Sequence, residues 1–383
     1  NAHTHLYSSL ARGMALPGFA PTTFTQILEQ SWWRLDKALD AEMVRVSALV
    51  GAMEAARCGV TTLIDHHASP HAVTGSLAAL RQAVCKEVGL RGAFCYEVSD
   101  RDGTAIRDEG IEENLEFLSS NDPKDTMSGA LFGLHASFTL SDDSLAKVAE
   151  RIPEGAGAHI HVAEGPEDED QCQAEHGVRI VERLRRFNLL RERSVLAHCL
   201  HIDEAEKDMV AENRAIVVHN PRSNMNNAVG VFDMEGFLER GITVGLGTDG
   251  LGANMLTELF TAGILQKVST GNSLAAGFGD LQKILFDNNP QIASRLLGAQ
   301  LGRIAPGYEA DIALFDYDPP TPIDAGNVLG HLLFGIAVHD LHVSDLIVSG
   351  SSVIRDGHFV NLDEDALYAQ ARGEAAALWA RIS

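Results

Sequence analysis

The sequence predicts an α/β fold: a (β/α)8 barrel of the TIM type with a small β-sandwich domain. Three observations predict it. Strand-like and helix-like segments alternate up to about residue 300, histidines and an aspartate stand at the C-terminal ends of most strand-like segments, and after Leu301 the pattern changes to short strands and turns. Alternation of strand and helix implies parallel strands joined by crossover helices. In a β/α barrel the reactive side chains come from the C-terminal ends of several strands, whereas a doubly wound sheet uses one switch point and a Gly-rich phosphate turn. No such turn follows the first strand.

The chain opens with Asn1-Ala2-His3-Thr4-His5, which reads as the tail of a barrel strand. Side chains alternate along a strand, so His3 and His5 point to one side. Such a pair of imidazoles is half of a metal site. Trp32-Trp33-Arg34-Leu35 falls in a loop or short helix, where its aromatics either close a pocket or pack the core. Leu39, Met43, Val46, Leu49, Val50 and Met53 recur at helical spacing and predict a helix over 36–58, ended by Gly59. A β-branched strand over 60–65 runs into His66-His67, a helix fits 71–88, and a strand fits 90–98. Helix 105–118 and strand 130–135 follow, then a helix capped by Ser141 with Asp142 and Asp143 in its first turn. Next come strand 156–162, helix 173–187, strand 194–198, helix 203–213, strand 215–219, a short helix to Arg240, and strand 242–247. These are seven strands, and the opening segment supplies the eighth. Their ends carry His66 and His67, His135, His161, His198, His219 and Asp249.

Beyond the barrel, Gly302-Arg303-Ile304, residues 311–315 and 345–348, and Val353-Ile354 read as strands, with turns at Gly350 and Asp356-Gly357. Residues 363–382 read as an Ala-rich helix. The expected organisation is a barrel over 1–300, sandwich strands over 301–360, and a C-terminal helix over 361–383 packed on the barrel.

Composition narrows the class of function. The 383 residues are 45% hydrophobic and 22% charged, enough for a large core. The net charge of -23 argues against nucleic acid or an anionic membrane as partner. No apolar run reaches the roughly 18 residues of a membrane span. Cys58, Cys85, Cys95, Cys172 and Cys199 are scattered without a Cys-x-x-Cys, as expected for reduced thiols in the cytoplasm.

Four features at separate strand ends carry the chemistry: His3-x-His5, His161-Val162-Ala163-Glu164, His198-Cys199 and Thr248-Asp249-Gly250. Taken singly, each histidine reads as a hydrogen-bonded core residue. Taken together, three imidazoles and a carboxylate suit a divalent cation with one position open to water. Water on such an ion has a pKa near 7, which makes hydroxide available at neutral pH. Glu164 stands close enough to shuttle a proton. His135 is expected to line the pocket, and one of His66 and His67 to face it. His159 is expected to make a buried hydrogen bond, and His176 and His201 to sit on helix surfaces. His219-Asn220-Pro221 with Ser223 and Asn224 either contacts substrate or shapes the loop.

With Arg12-Gly13, Ala197-His198-Cys199, His219-Asn220-Pro221-Arg222-Ser223-Asn224 and Gly247-Thr248-Asp249-Gly250 added, the chain resembles the amidohydrolase superfamily. The likeness is to its aminohydrolase and chlorohydrolase branch, which includes the cytosine-deaminase-like enzymes. Trp32-Trp33-Arg34-Leu35-Asp36, residues 65–70, residues 316–322 and residues 330–335 resemble an aminohydrolase group of selenium metabolism. The resemblance implies His3, His5, His161 and Asp249 as metal ligands, with Glu164, His198 and Asp249 catalytic. His67, His135 and Asn224 are the expected substrate contacts. Binuclear members carry a bridging lysine at the end of the fourth strand, and residues 132–137 contain none, so one divalent metal is expected, zinc before iron. The implied reaction is hydrolytic deamination of a purine-, pterin- or triazine-like ring by a cytoplasmic homodimer. Amide or ring-opening hydrolysis and a non-catalytic selenium-metabolism accessory role are the alternatives. Relatives also carry a segment before the His-x-His that completes the sandwich, so the sequence is expected to list part of a longer chain, and jumps near residues 273–277 and 338–340 are expected places for further omissions.

Overall fold

Eight strand positions close into a ring, and the opening residues are the closing piece. In the computed structural model, residues 1–122 and 124–382 are described. Strands β1 (Thr62–His67), β2 (Arg91–Tyr96) and β3 (Ser128–Ala130) pair in parallel, and so do β4 (Phe132–Ala136), β5 (Ala158–Val162), β6 (Val195–His198), β7 (Ile216–His219) and β8 (Thr243–Leu246). Between the two groups, β3 and β4 form one strand interrupted at Leu131, and Val98 bridges Leu134. On the far side, Thr4 bridges both Asp65 and Asp249. Ala2 N donates to Leu246 O at 3.1 Å and Ile64 N to Asn1 O at 3.0 Å. The eighth position is therefore filled by residues 1–5.

Strand alternation sorts the interior into two layers. Ala2, Ile64, Ala93, Leu131, Val195 and Ile216, near the strand starts, cluster with the helix Asn289–Leu297 and make an apolar floor. Each buried valine, leucine or isoleucine among them contributes about 1.5–3 kcal/mol. Further up, the inward positions become His66, His159 and His161. Outside the ring, the helices pack on the strands through one continuous apolar cluster.

Several boundaries differ from the sequence expectation. The helix over 36–58 is two, Trp33–Ala38 and Ala41–Arg57, because Asp40 turns out to be an N-cap accepting from Met43 N. The helix over 173–187 is also two, Pro166–His176 and Ile180–Arg186, broken at left-handed Gly177. The Ser141 cap and its acidic first turn are as expected. Asp203 and Glu206 form a reciprocal capping box.

After the barrel, β9 (Ile312–Phe315), β10 (Val343–Val348), β11 (Ser351–Arg355) and β12 (His358–Phe359) form one antiparallel sheet in the order β12-β11-β10-β9. Gly302-Arg303-Ile304 is not a strand: Ile304 is 88% exposed and the sheet begins only at Ile312. Fully buried Arg91 ties the sheet to the barrel, 2.9 Å from Asp311. The helix Glu364–Ile382 crosses Ala41–Arg57, and Trp379 Nε1 donates to Leu10 O at 2.8 Å.

Candidate active site

The strand ends deliver four ligand-type atoms to one point. One ligand atom from each of His3, His5, His161 and Asp249 lies within 4.8 Å of all the others. His5 Nε2 stands 3.1 Å from His161 Nε2 and 3.0 Å from Asp249 Oδ1, and His3 Nε2 is 3.8 Å from the same oxygen.

The other ring nitrogens are tied back. His5 Nδ1 donates to His66 O at 2.6 Å, His161 Nδ1 to His135 O at 2.9 Å, and His3 Nδ1 meets His159 Nε2 at 2.9 Å. A Nδ1–H held on a carbonyl leaves the Nε2 lone pair free, which is how proteins prepare imidazoles for a cation. Asp249 is oriented likewise, by Ser223 Oγ–H at 2.5 Å and Gly250 N–H at 2.8 Å. His3 Nε2 is buried and has no hydrogen-bond partner. Converging lone pairs, an orphaned nitrogen and a carboxylate fit a divalent ion of the zinc type, with position left for water.

Electrostatics agrees. Burial alone would lower the pKa of His5, but the Asp249 carboxylate raises it to about 9. Burial would raise that of Asp249, and His5 pulls it far below the ordinary value instead. The pair holds a proton where the cluster would hold a cation.

Glu164 and His198 stand beside this cluster. Glu164 Oε1 accepts from Asn227 Nδ2 at 3.1 Å, and its Oε2 is 3.4 Å from His198 Nε2. Burial raises the Glu164 pKa above 4.5, opposed by His198. His198 Nδ1 donates to Asn224 Oδ1 at 2.8 Å, which aims Nε2 at Glu164 and Asp249. The backbone turns sharply to achieve this. Ala163, His198 and Asp249 have φ of 47°, 72° and 54°, a left-handed conformation that costs non-glycine residues about 1–3 kcal/mol each and gathers at functional sites.

The pocket above is lined by Tyr7, Trp32, Trp33, Glu97, His135, Phe138 and Asn227, among others. Trp32 and Trp33 therefore wall it, and His135 lines it as expected. Gly250 lets Trp32 approach, since a Cβ there would stand 2.3 Å from the indole. Two expected substrate contacts are placed elsewhere. His67 is fully buried, its Nε2 on Ser69 Oγ at 2.8 Å, and is not part of the pocket wall, because the strand's alternation turns it outward while His66 points in. Asn224 is buried behind His198 and positions it. His159 makes the expected buried bond. His219 stacks on Phe232 at 4.6 Å, away from the pocket. His201 lies in a loop on Val229 O rather than on a helix, and His176 ends a helix 3.3 Å from Asp142.

Sequence reasoning missed Glu97, Asn227 and Asp168. Glu97 follows β2 directly, and the barrel rule could have found it as an acidic residue at a strand end. Its carboxylate is 3.3 Å from His66 Nδ1 and 3.5 Å from His135 Nε2. Burial works to raise its pKa, yet His135, His66 and Arg101 hold it well below the usual carboxylate range. Burial also raises Asp36 and Asp168, each to about 7.

Comparison with known proteins gives the same family by an independent route. The Amidohydrolase family profile matches residues 1–353. A 5-methylthioadenosine/S-adenosylhomocysteine deaminase of Pelotomaculum thermopropionicum is 30% identical over 384 residues, covering 99% of this chain and 84% of the relative. A 5'-deoxyadenosine deaminase of Methanopyrus kandleri is 30% identical over 372 residues, covering 96% and 82%. Among solved structures, an adenosine deaminase from Xanthomonas campestris with bound zinc superposes with a TM-score of 0.83 at 25% identity, covering 99% of this chain and 84% of that one. An atrazine chlorohydrolase from Arthrobacter aurescens complexed with zinc has the same fold, with a TM-score of 0.81 at 20% identity and 98% and 86% coverage.

Proposed function

Because the chain belongs to the amidohydrolase family, we propose that its barrel mouth is the active site of a metal-dependent hydrolytic deaminase acting on an aminated heterocycle. The observation that carries this is the convergence of His3, His5, His161 and Asp249 beside Glu164 and His198.

The reaction replaces a ring C–NH2 by C–OH and releases ammonia, consuming one water. It needs an ionised water, a proton carrier and a group facing the charge that develops at the ring. His3, His5, His161 and Asp249 would hold the cation, which when bound lowers the pKa of water to about 7 and polarises the substrate. Glu164, buried and lacking a tight cationic partner, takes the proton from the attacking water. It returns that proton to the ring nitrogen or the departing amine. His198 Nε2, fixed through Asn224, faces the developing charge from the β6 side. Asp249 Oδ2, anchored by Ser223, orients the water. Trp32, Trp33 and Phe138 cover the ring and keep bulk solvent out.

The fuller reading is a single zinc ion, supported by the one group of four ligands among the described residues, with which each of the three-residue groups shares a ligand, and by the lack of lysine in residues 132–137. All five cysteines are free, which supports a cytoplasmic setting. The likeness of residues 32–36 and 65–70 to a selenium-metabolism group supports a role beside that metabolism, and the homodimer is part of the same proposal. Among the described residues, no helix is long and apolar enough to cross a membrane. The test is an ammonia-release screen of the zinc-loaded enzyme across aminated purines, pterins and triazines. Ammonia from at least one class is expected. No release from any of them by zinc-replete protein overturns the reading.

A further inference from the structure

The pocket's charge is one-sided. Asp36, Glu97, Glu164, Asp168 and Asp249 reach its wall, and among the described residues no lysine or arginine does. Arg101, whose guanidinium lies 4.0 Å from Glu97, is already engaged. It pairs with Asp36, lies 3.3 Å from Asp102, and stacks over the Trp33 ring at 5.3 Å.

Four of the five acids have work to do on the protein itself. Asp249 meets His5, Glu164 meets Asn227 and His198, and Asp36 meets Arg101. Asp168 accepts from Ala163 N and Phe138 N at 3.0 and 3.1 Å. Glu97 is different. Its neighbours are His66 Nδ1 at 3.3 Å, a nitrogen without an aligned hydrogen bond, His135 Nε2 at 3.5 Å and Arg101 at 4.0 Å. A carboxylate offers about four lone-pair sites, and neighbours at 3.3 to 4.0 Å fill those of Glu97 only loosely. Glu97 has cationic and imidazole neighbours but accepts no aligned hydrogen bond from any of them, so its oxygens are open to donors from outside the protein.

Its position says which donors. One ligand atom each from Glu97, His135 and His161 lies within 4.8 Å of the others, and the same holds for Glu97, His5 and His66. Glu97 thus approaches the His5–His161 pair from the β2 and β4 side, while Glu164, His198 and Asp249 approach from the β5, β6 and β8 side. A planar ring seated over the pair meets Glu164 along one edge and Glu97 along another. Two parallel N–H groups match the two oxygens of a carboxylate, as in the fork of an arginine pair. A ring nitrogen acceptor at that edge would set lone pair against lone pair.

We propose that Glu97 is the specificity-determining carboxylate of this pocket. It accepts the paired N–H donors of a cyclic guanidine or amidine edge, and so selects neutral or cationic aminated heterocycles of that kind over acceptor-edged or phosphorylated ones. The proposal takes the reacting bond from the deaminase reading, and the edge recognition from Glu97 alone.

Binding separates the two. Calorimetry on the zinc-loaded enzyme compares 2-aminopyrimidin-4(3H)-one, which carries the donor pair, with pyrimidin-4(3H)-one, which lacks the amine. The wild type is expected to prefer the first by about 10- to 150-fold, the range of a hydrogen bond to a charged group. Glu97→Gln removes the preference with zinc content and thermal midpoint unchanged, and Glu97→Asp restores part of it. Equal binding of both probes by the wild type, no binding of either, or a preference that survives in zinc-replete Glu97→Gln overturns the proposal. A loss of both probes together in Glu97→Gln also overturns it, since that marks a structural role. A wild type that keeps the preference yet releases ammonia from nothing upholds this proposal while the deaminase reading fails.

Discussion

Replacing Glu164 by glutamine tests the proton carrier with little change of shape. The side chain is buried, with one oxygen on Asn227 Nδ2 at 3.1 Å and the other 3.4 Å from His198 Nε2. Glutamine keeps an oxygen for Asn227, fills the same volume and leaves His198 on Asn224. It cannot take a proton. Positioned acid–base groups contribute about 10²–10⁴ in rate, which is about 3–5 kcal/mol of barrier. Glu164 is outside the four-residue cluster of His3, His5, His161 and Asp249, so zinc content should hold and the loss should fall on kcat rather than KM. Steady-state ammonia release with zinc quantified on the same sample reads both. A rate within about tenfold of wild type at full zinc would refute the role, because the smallest effect expected of a proton carrier is about 100-fold. Zinc loss would instead place Glu164 in the ion's own shell.

The same group sets an acid limb. Burial raises its folded pKa above 4.5, and it works only when ionised, so kcat/KM should fall as pH drops through a value above 4.5. A rate that stays flat below pH 4.5 contradicts this. Gly250→Val puts a Cβ 2.3 Å from Trp32 and must swing the indole; KM should rise by about tenfold or more, with zinc content kept. An unchanged KM would remove Trp32 from the binding wall. Gly133→Ala sets a Cβ 2.2 Å from the Tyr96 carbonyl oxygen, in the packed ring where backbone cannot yield. It should destabilise by about 1–3 kcal/mol or more, read as a lower thermal midpoint, and an unshifted midpoint would show that β2 and β4 can part without cost.

Parity and order made most of the site legible. His3 and His5 had to share a face because strand side chains alternate, and the strand order gave His161, His198 and Asp249 a common rim. Glu164 was legible as a neighbour of the cluster, but the left-handed Ala163 that turns it in was not, since alanine rarely takes that conformation. Glu97 was hidden for another reason. Its significance comes from His66 and His135 on other strands, and no spacing in the letters links residues that meet only when the ring closes. His67 and Asn224 misled because they neighbour pocket residues in sequence while one faces away and the other stands behind His198. Gly302-Arg303-Ile304 has a strand-like isoleucine but no partner strand to make it one.

Zinc-edge anomalous diffraction from zinc-loaded crystals, with metal counted per chain, goes straight to the cluster. One zinc per chain is expected, as a single peak bounded by His3 Nε2, His5 Nε2, His161 Nε2 and an Asp249 oxygen. A chain that binds no zinc, or a peak standing elsewhere, would contradict the account.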